Sequence, residues 1–141
     1  MGDDTAPSPR RLTLPPSRRL SLDRDYDAVY SGKMRKSAGG LTVWTRPNGL
    51  AFHRLGLSVG KRAGQAHDRV RIKRLIREAF RAGQHGLAHR AGHHDIVVSA
   101  RGGEGLTLTS CAAALRDLVA QADREWLKRQ ETNRRRDEET A

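Results

Sequence analysis

The chain is poor in the features that define several large protein classes. It has one cysteine, Cys111, among 141 residues, so it forms no internal disulfide and has no second thiol for a zinc site. A reducing compartment fits that usage. Cys111 lies in the Ala-rich run SCAAALRDLVAQA, where a small buried apolar side chain, not a nucleophile, is expected. No apolar run approaches the ~18 residues that span a bilayer. The N-terminal MGDDTAPSPRR is acidic and then Pro-rich, without the apolar centre of an export signal or a lipidation pattern. The expected location is therefore the cytoplasm, with no membrane attachment.

Acidic residues are also scarce. Sixteen Asp and Glu face 27 Lys and Arg, a formal net charge of +11 and a pI near 11.1. A field of that sign attracts polyanions, and fold stability alone does not require it. Protein nucleases gather carboxylates around two metal ions, but no such cluster is evident. Asp23, Asp25 and Asp27 are spaced so that Asp25 points away from the other two on a helix, and complementing a helix N-terminus is their expected role. His85, His89, His93 and His94 have metal-like spacing, yet Gly83, Gly86 and Gly92 interrupt any helix that would align them. A flexible loop touching nucleic acid is expected there rather than zinc. Arg101-Gly102-Gly103-Glu104-Gly105 lacks the Gly-Lys-Ser/Thr end of a nucleotide loop and reads as a turn.

At 141 residues with 36% hydrophobic content, the chain has room for one domain with tails. Residues 1–17, with Pro7, Pro9, Pro15 and Pro16, read as a flexible arm. Residues 128–141, KRQETNRRRDEETA, read as a frayed helix and solvated charged tail. The domain falls between them, over 18–127.

Within it, Ser21 is placed to cap a short helix carrying Leu22, Tyr26, Val29 and Tyr30, ending near Gly32. Leu41–Thr45 and Phe52–Val59 read as strands joined through Pro47-Asn48-Gly49, which predicts a hairpin. From Asp68, Ile72, Leu75, Ile76, Ala79 and Phe80 form a helical apolar stripe that Gly83 stops. Ile96, Val97 and Val98 are consecutive, which predicts that the strand Asp95–Ala100 is buried on both faces. A last helix points Cys111, Leu115, Leu118, Val119, Ala122 and Trp126 inward. This order indicates an α+β sandwich of a sheet and helices.

The central helix has two sides. At ~100° per residue, Lys73, Arg74, Arg77 and Arg81 fall opposite the apolar stripe. Arg69 and Arg71 occupy the first turn, and Lys61 and Arg62 precede it in the loop GKRAG. Eight cations and two acids share the residues from Lys61 to Arg81. Cations near a helix start oppose its dipole by up to ~1 kcal/mol each, a placement that suits a bound anion. A merely solvated face would alternate sign at i, i+4, whereas here Glu78, opposite Arg74, is almost the only partner. The pattern predicts a phosphate-contacting face and leaves RNA and DNA both open.

The run RLGLSVGKRAGQAHDRVRIKRLIREAF, from Arg54 to Phe80, resembles the signature of the bacterial ribonuclease P protein subunit, R-x-G-x-x-x-x-K-K-x-G-N-A-x-x-R-N-R-x-K-R-x-x-R-E-x-F. Arg24-Asp25-Tyr26 with Val29-Tyr30 is similar to that family's R-D-F-x-x-V-Y helix, and VVSARGG to its V-V-x-A-R-x-G strand end. The resemblance implies an α-β-β-β-α-β-α sandwich with a left-handed βαβ crossover at the basic helix. It further implies that Lys61, Arg62, Arg69, Arg71, Lys73, Arg74 and Arg77 contact the catalytic RNA subunit. Tyr26, Tyr30 and Trp44 would line the cleft for the 5′ leader of precursor tRNA, although on sequence alone those aromatics read as core.

What the resemblance implies chemically is hydrolysis of a phosphodiester with Mg²⁺ held mainly by the RNA. The protein would supply no catalytic residue and no metal ligand, and no protein partner is implied. Two positions depart from the family: Gln65 stands for Asn in Gly-Asn-Ala, and Val70 for Asn in Arg-Asn-Arg. Val70 cannot hydrogen-bond, so any polar or water-mediated metal contact of those Asn side chains is affected, while the charged frame is kept. The alternatives are a ribosomal or general RNA-binding protein with no role in cleavage and a protein-only nuclease.

Overall fold

The structure, a computed structural model, describes residues 14–140. Its elements are α1 (Asp23–Ser31), β1 (Arg35–Ala38), β2 (Leu41–Pro47), β3 (Arg54–Ser58), α2 (Ala66–Gly83), β4 (His94–Ala100) and α3 (Leu108–Thr140). The helix and strand order implied by the resemblance is the observed one.

The residues from His94 to Val98 are buried without interruption, so this segment needs a strand on each edge and packed layers on each face. It lies inside a four-stranded sheet of order β1-β2-β4-β3. The hairpin expected between Leu41–Thr45 and Phe52–Val59 does not form, because β4 takes the place between them. It pairs antiparallel with β2, Val43 opposite Val98, and parallel with β3, Leu57 opposite Val98. The actual hairpin joins β1 to β2. Its turn residues Gly39 and Gly40 have φ of 60° and 82°, as a tight two-residue turn of this kind requires. The motif Pro47-Asn48-Gly49 instead crosses the end of β4, where the Asn48 side chain donates to Asp95 Oδ1 at 2.9 Å. β1 has no alternating apolar pattern, since RKSA is largely exposed.

Side chains alternate across this sheet. Leu41, Val43, Leu55, Ile96 and Val98 face α2 and α3 and build the main core with Ile72, Ile76, Phe80, Leu115 and Leu118. Val97 points to the other face, where Leu20, Val29, Tyr26, Tyr30 and Trp44 form a smaller cluster beneath α1. β3 and β4, parallel, are joined by α2, so the basic helix is the crossover between two buried strands.

Several boundaries differ from the sequence reading. The N-cap of α1 is Leu22, without a side-chain cap bond, so Ser21 does not cap it. Leu22 is exposed. The arm expected over residues 1–17 lies outside the described residues up to residue 13. From Leu14 onward the chain is docked: Leu14 is in the core, and the Leu20 N–H donates to Leu55 O at 2.8 Å. The expected frayed end of α3 continues as helix to Thr140. Its base is held by the Lys36–Glu125 ion pair, by Trp126 Nε1–H donating to Thr45 Oγ1 at 3.0 Å, and by Arg129 donating to Gly32 O at 3.0 Å.

Gly56 is a demanding position, because β3 passes directly under Tyr26. An added Cβ would lie 2.9 Å from Tyr26 Cζ and Oη and 3.0 Å from Leu20 Cδ1. Overpacking of a closed site costs about 1–3 kcal/mol, so Gly56→Ala is expected to lower stability by that order, read as a shifted urea midpoint at unchanged m-value.

Candidate nucleic-acid interface

The basic segment begins in a short 3₁₀ turn, Lys61–Ala63, which leads into Gly64 at φ 131°. A Cβ there would fall 2.8 Å from Asp68 Oδ2, so glycine both permits the backbone conformation and leaves room for a cap. Asp68 accepts the Gln65 N–H at 3.0 Å, and the Gln65 side chain serves the Asp68 N–H in return, a capping box. Gln65, a departure from the family signature, thus holds the helix start.

α2 then divides as its periodicity predicts. Ile72, Ile76, Ala79 and Phe80 are buried, and Leu75 is half-buried against the same core. Lys61, Arg62, Arg69, Lys73, Arg74 and Arg77 lie on the remaining surface without an ion pair among the described residues. Glu78 pairs with Arg81 at 3.2 Å, not with Arg74 as the helical spacing suggests. Arg71 is a special case: its guanidinium donates to Gly103 O at 3.2 Å and Leu106 O at 2.9 Å, tying the β4–α3 loop to the helix. Val70, the second departure, is 53% exposed among these cations.

The turn Arg101–Gly105 forms one wall of a groove of about 550 Å³ whose other wall is Arg62, Gly64, Asp68 and Arg71. Gly103 allows the close approach, since a Cβ there would sit 2.7 Å from Ile72 Cγ1. Arg101 therefore joins the basic surface from a distant segment. Sequence reading misses it because the loop reaches α2 only through tertiary contacts, the Arg71 hydrogen bonds and the packing of Gly103 on Ile72.

The aromatics lie on the opposite face of the sheet. Tyr30 and Trp44 meet edge to face at 5.1 Å, and the Arg35 guanidinium stands 5.8 Å from the Trp44 ring. Tyr26 reaches the outer edge of β3, where its hydroxyl accepts the Leu57 N–H at 3.1 Å and donates to Leu57 O at 3.4 Å. This closes the sheet edge at that residue. All three are half-buried and pack on the smaller core, so they are partly the core residues that composition suggests. Tyr26 also shares a groove of about 250 Å³ with Arg19, Lys73 and Arg77. The groove adds Arg19, which no periodic signal marks in the linear chain, and connects the aromatic face to the basic helix.

The histidines fall only partly in the expected loop: His89 and His93 lie there, His85 sits in the 3₁₀ turn Gln84–Gly86, and His94 does not. His94 opens β4 and is buried, with Nε2 2.9 Å from Asp123 Oδ1. Asp123 also accepts the Arg90 and Ala91 N–H groups at 2.9 and 3.0 Å. Burial pushes its carboxyl up, but these donors outweigh burial and hold it below the usual range. Burial lowers His94 despite that neighbour. His53 Nδ1 accepts the His94 N–H at 3.0 Å, which leaves Nε2 to face Leu87 O at 3.4 Å. Burial lowers its pKa to about 4. Among the described residues, no three His, Cys, Asp or Glu side chains converge as a metal site requires.

An α+β domain that buries one side of its crossover helix and presents a cation-rich face on the other, beside half-buried aromatics, has the make-up of a nucleic-acid-binding protein. The ribonuclease P family model matches residues 14–123. The chain is 43% identical over 88 residues to the ribonuclease P protein component of Pasteurella multocida, covering 62% of this chain and 71% of that one. It is 41% identical over 115 residues to that of Methylococcus capsulatus, covering 81% and 82%. Among solved structures, it is similar to a Staphylococcus aureus RNase P protein mutant (TM-score 0.64, 28% identity, 75% and 88% covered) and to the Thermotoga maritima RNase P protein (0.59, 30%, 73% and 96%). The chain belongs to the ribonuclease P protein family.

This geometry has two measurable consequences. Arg71→Gln is expected to cost about 1 kcal/mol through its lost loop bonds, whereas Arg74→Gln stays within about 0.5 kcal/mol, both read by urea unfolding. His53 has a folded pKa of about 4 against an ordinary 6.5, so the unfolded chain binds its proton first. The stability from neutral His53 is complete above pH 6.5, falls as pH drops through 6.5 and levels off near pH 4. A shift of this size corresponds to about 3 kcal/mol. His53→Gln should flatten that part of the stability profile.

Proposed function

We propose that this chain assists cleavage by binding two RNAs at once, the catalytic RNA of ribonuclease P and the 5′ leader of precursor tRNA, in the cytoplasm. The reading is carried by the unpaired cations along one side of α2 in a member of this family. Lys61, Arg62, Arg69, Arg71, Lys73, Arg74 and Arg77 hold the phosphates of the catalytic RNA. Arg69 supports this assignment, since its buried Nε–H has no protein acceptor among the described residues. Tyr26, Tyr30 and Trp44 receive the leader, because unpaired bases stack on aromatic faces at ~1–3 kcal/mol each with little sequence demand.

Mg²⁺, held by the RNA subunit, supplies the Lewis acid and activated water for phosphodiester hydrolysis. Among the described residues no side chains gather to fit the ion: Asp23, Asp25 and Asp27 are spread along α1, and Asp68, Asp95 and Asp123 are each engaged in a cap, an Arg54 pair or a histidine pair. The protein's contribution is electrostatic. Two polyanions repel, and cations placed between them lower the Mg²⁺ concentration at which they associate.

Lys73, Arg74 and Arg77 make no ion pair among the described residues, so their triple replacement by Glu tests the interface. Binding to ribonuclease P RNA is expected to weaken by about 100-fold or more, with a log–log salt slope smaller by roughly 2 to 3. Unchanged affinity at physiological salt would sink the assignment. Failure of the parent protein to enhance precursor-tRNA cleavage at low Mg²⁺ would leave a general RNA-binding protein instead.

A further inference from the structure

A recess of about 130 Å³ opens where β3 and β4 begin, lined by Arg18, Phe52, His53, His85, His89 and His93 with Gln84. Its walls are flat rings. His89 and His93 stack at 4.3 Å and 12°, and His53 meets His93 at 4.8 Å. The Arg18 guanidinium lies 4.8 Å from the Phe52 centroid and is positioned by donating to Gln84 Oε1 at 2.7 Å. Burial lowers both His53 and His93, which favours their neutral rings as π faces beside the Arg18 guanidinium.

This chemistry excludes a metal and favours a nucleotide. Both nitrogens of His53 face protein groups, and no three His, Cys, Asp or Glu side chains among the described residues converge on one point. Unpaired bases, by contrast, stack on histidine, phenylalanine and guanidinium planes. An apolar cavity of ~150 Å³ admits benzene, so the recess has room for one ring. Its position is also favourable: Arg18 precedes Arg19, which lines the groove with Tyr26, Lys73 and Arg77. Gln84 lies just past the end of α2, ~10 Å along the axis from Arg77.

We infer that this histidine recess is a nucleotide subsite that takes one unpaired RNA base against the open face of its ring stack and the attached phosphate on Arg18. The inference rests on the RNA interface proposed above and extends it beyond the end of α2. The base belongs either to the precursor's leader or to an unpaired segment of the catalytic RNA.

The full chain is titrated with uridine 5′-monophosphate and, separately, ribose 5-phosphate, while the histidine ring signals are followed by NMR. Saturable shifts of His89 and His93 with the nucleotide alone are expected. Unmoved signals, or equal shifts with ribose 5-phosphate, overturn the subsite. In the reconstituted holoenzyme, His89→Ala/His93→Ala is expected to weaken binding by roughly tenfold. Loss confined to precursors bearing a leader assigns the base to the leader, and weakened association with the catalytic RNA itself assigns it there. Parental affinity in both arms rejects the subsite. If the parent chain binds ribonuclease P RNA normally in those arms, the proposed function stands without it, whereas absent RNA binding by the parent rejects the interface itself.

Discussion

Burial of Ile72, Ile76 and Phe80 between the sheet and α3 is the interaction on which the rest depends. Each such side chain contributes on the order of 1.5–3 kcal/mol, and together they fix the rotation of α2 about its axis. Once that rotation is fixed, Lys73, Arg74 and Arg77 have no choice of side. The helix starts at Ala66, so Arg69 and Arg71 fall beyond the acidic Asp68 of its first turn instead of opposing the dipole there as expected. Its cations still gain few salt bridges, so a helix with this charge density would be poorly favoured alone. The core supplies the stability that lets the surface be optimised for an anion.

The same packing links the helix to both neighbouring surfaces. Gly103 lets the β4–α3 loop touch Ile72, and Arg71 holds the loop there, which brings Arg101 to the basic face. On the other side, Gly56 lets Tyr26 lie over β3, and its hydroxyl ends the sheet edge at Leu57. Tyr26 then shares a groove with Lys73 and Arg77. The division into a helix for one RNA and an aromatic cleft for another, natural in the linear sequence, becomes one continuous surface.

Much of this fold is legible in the linear chain. The α2 stripe, the double-sided burial of Ile96–Val98 and the inward residues of α3 all follow from periodicity, which reports local geometry directly. The family resemblance implies a third strand before α2 without placing it, and the composition of RKSA carries no strand signal. Partner choice is what local patterns leave open. Pro47-Asn48-Gly49 is good turn chemistry and so points to a hairpin between β2 and β3, but turn chemistry does not tell a strand which neighbour it will have. The spacing of Glu78 matches it to Arg74, yet side-chain reach places it on Arg81. His94 reads as a loop residue, and it is Asp123, far away in sequence, that gives it a buried partner, while the β4 backbone does the same for His53.

The sequence by itself determined the net charge, the two-sidedness of α2, the family and the residue types available for binding RNA, since each depends on composition or on spacing within one element. Only the tertiary structure decided that Arg71 and Asp68 are tied into the fold and that Arg19 and Arg101 line grooves beside the basic helix. It likewise placed Tyr26 beside the basic helix and gathered four histidines around one recess. Those outcomes depend on which segments meet when β4 inserts between β2 and β3, a long-range competition for buried area and backbone hydrogen bonds that no local pattern records.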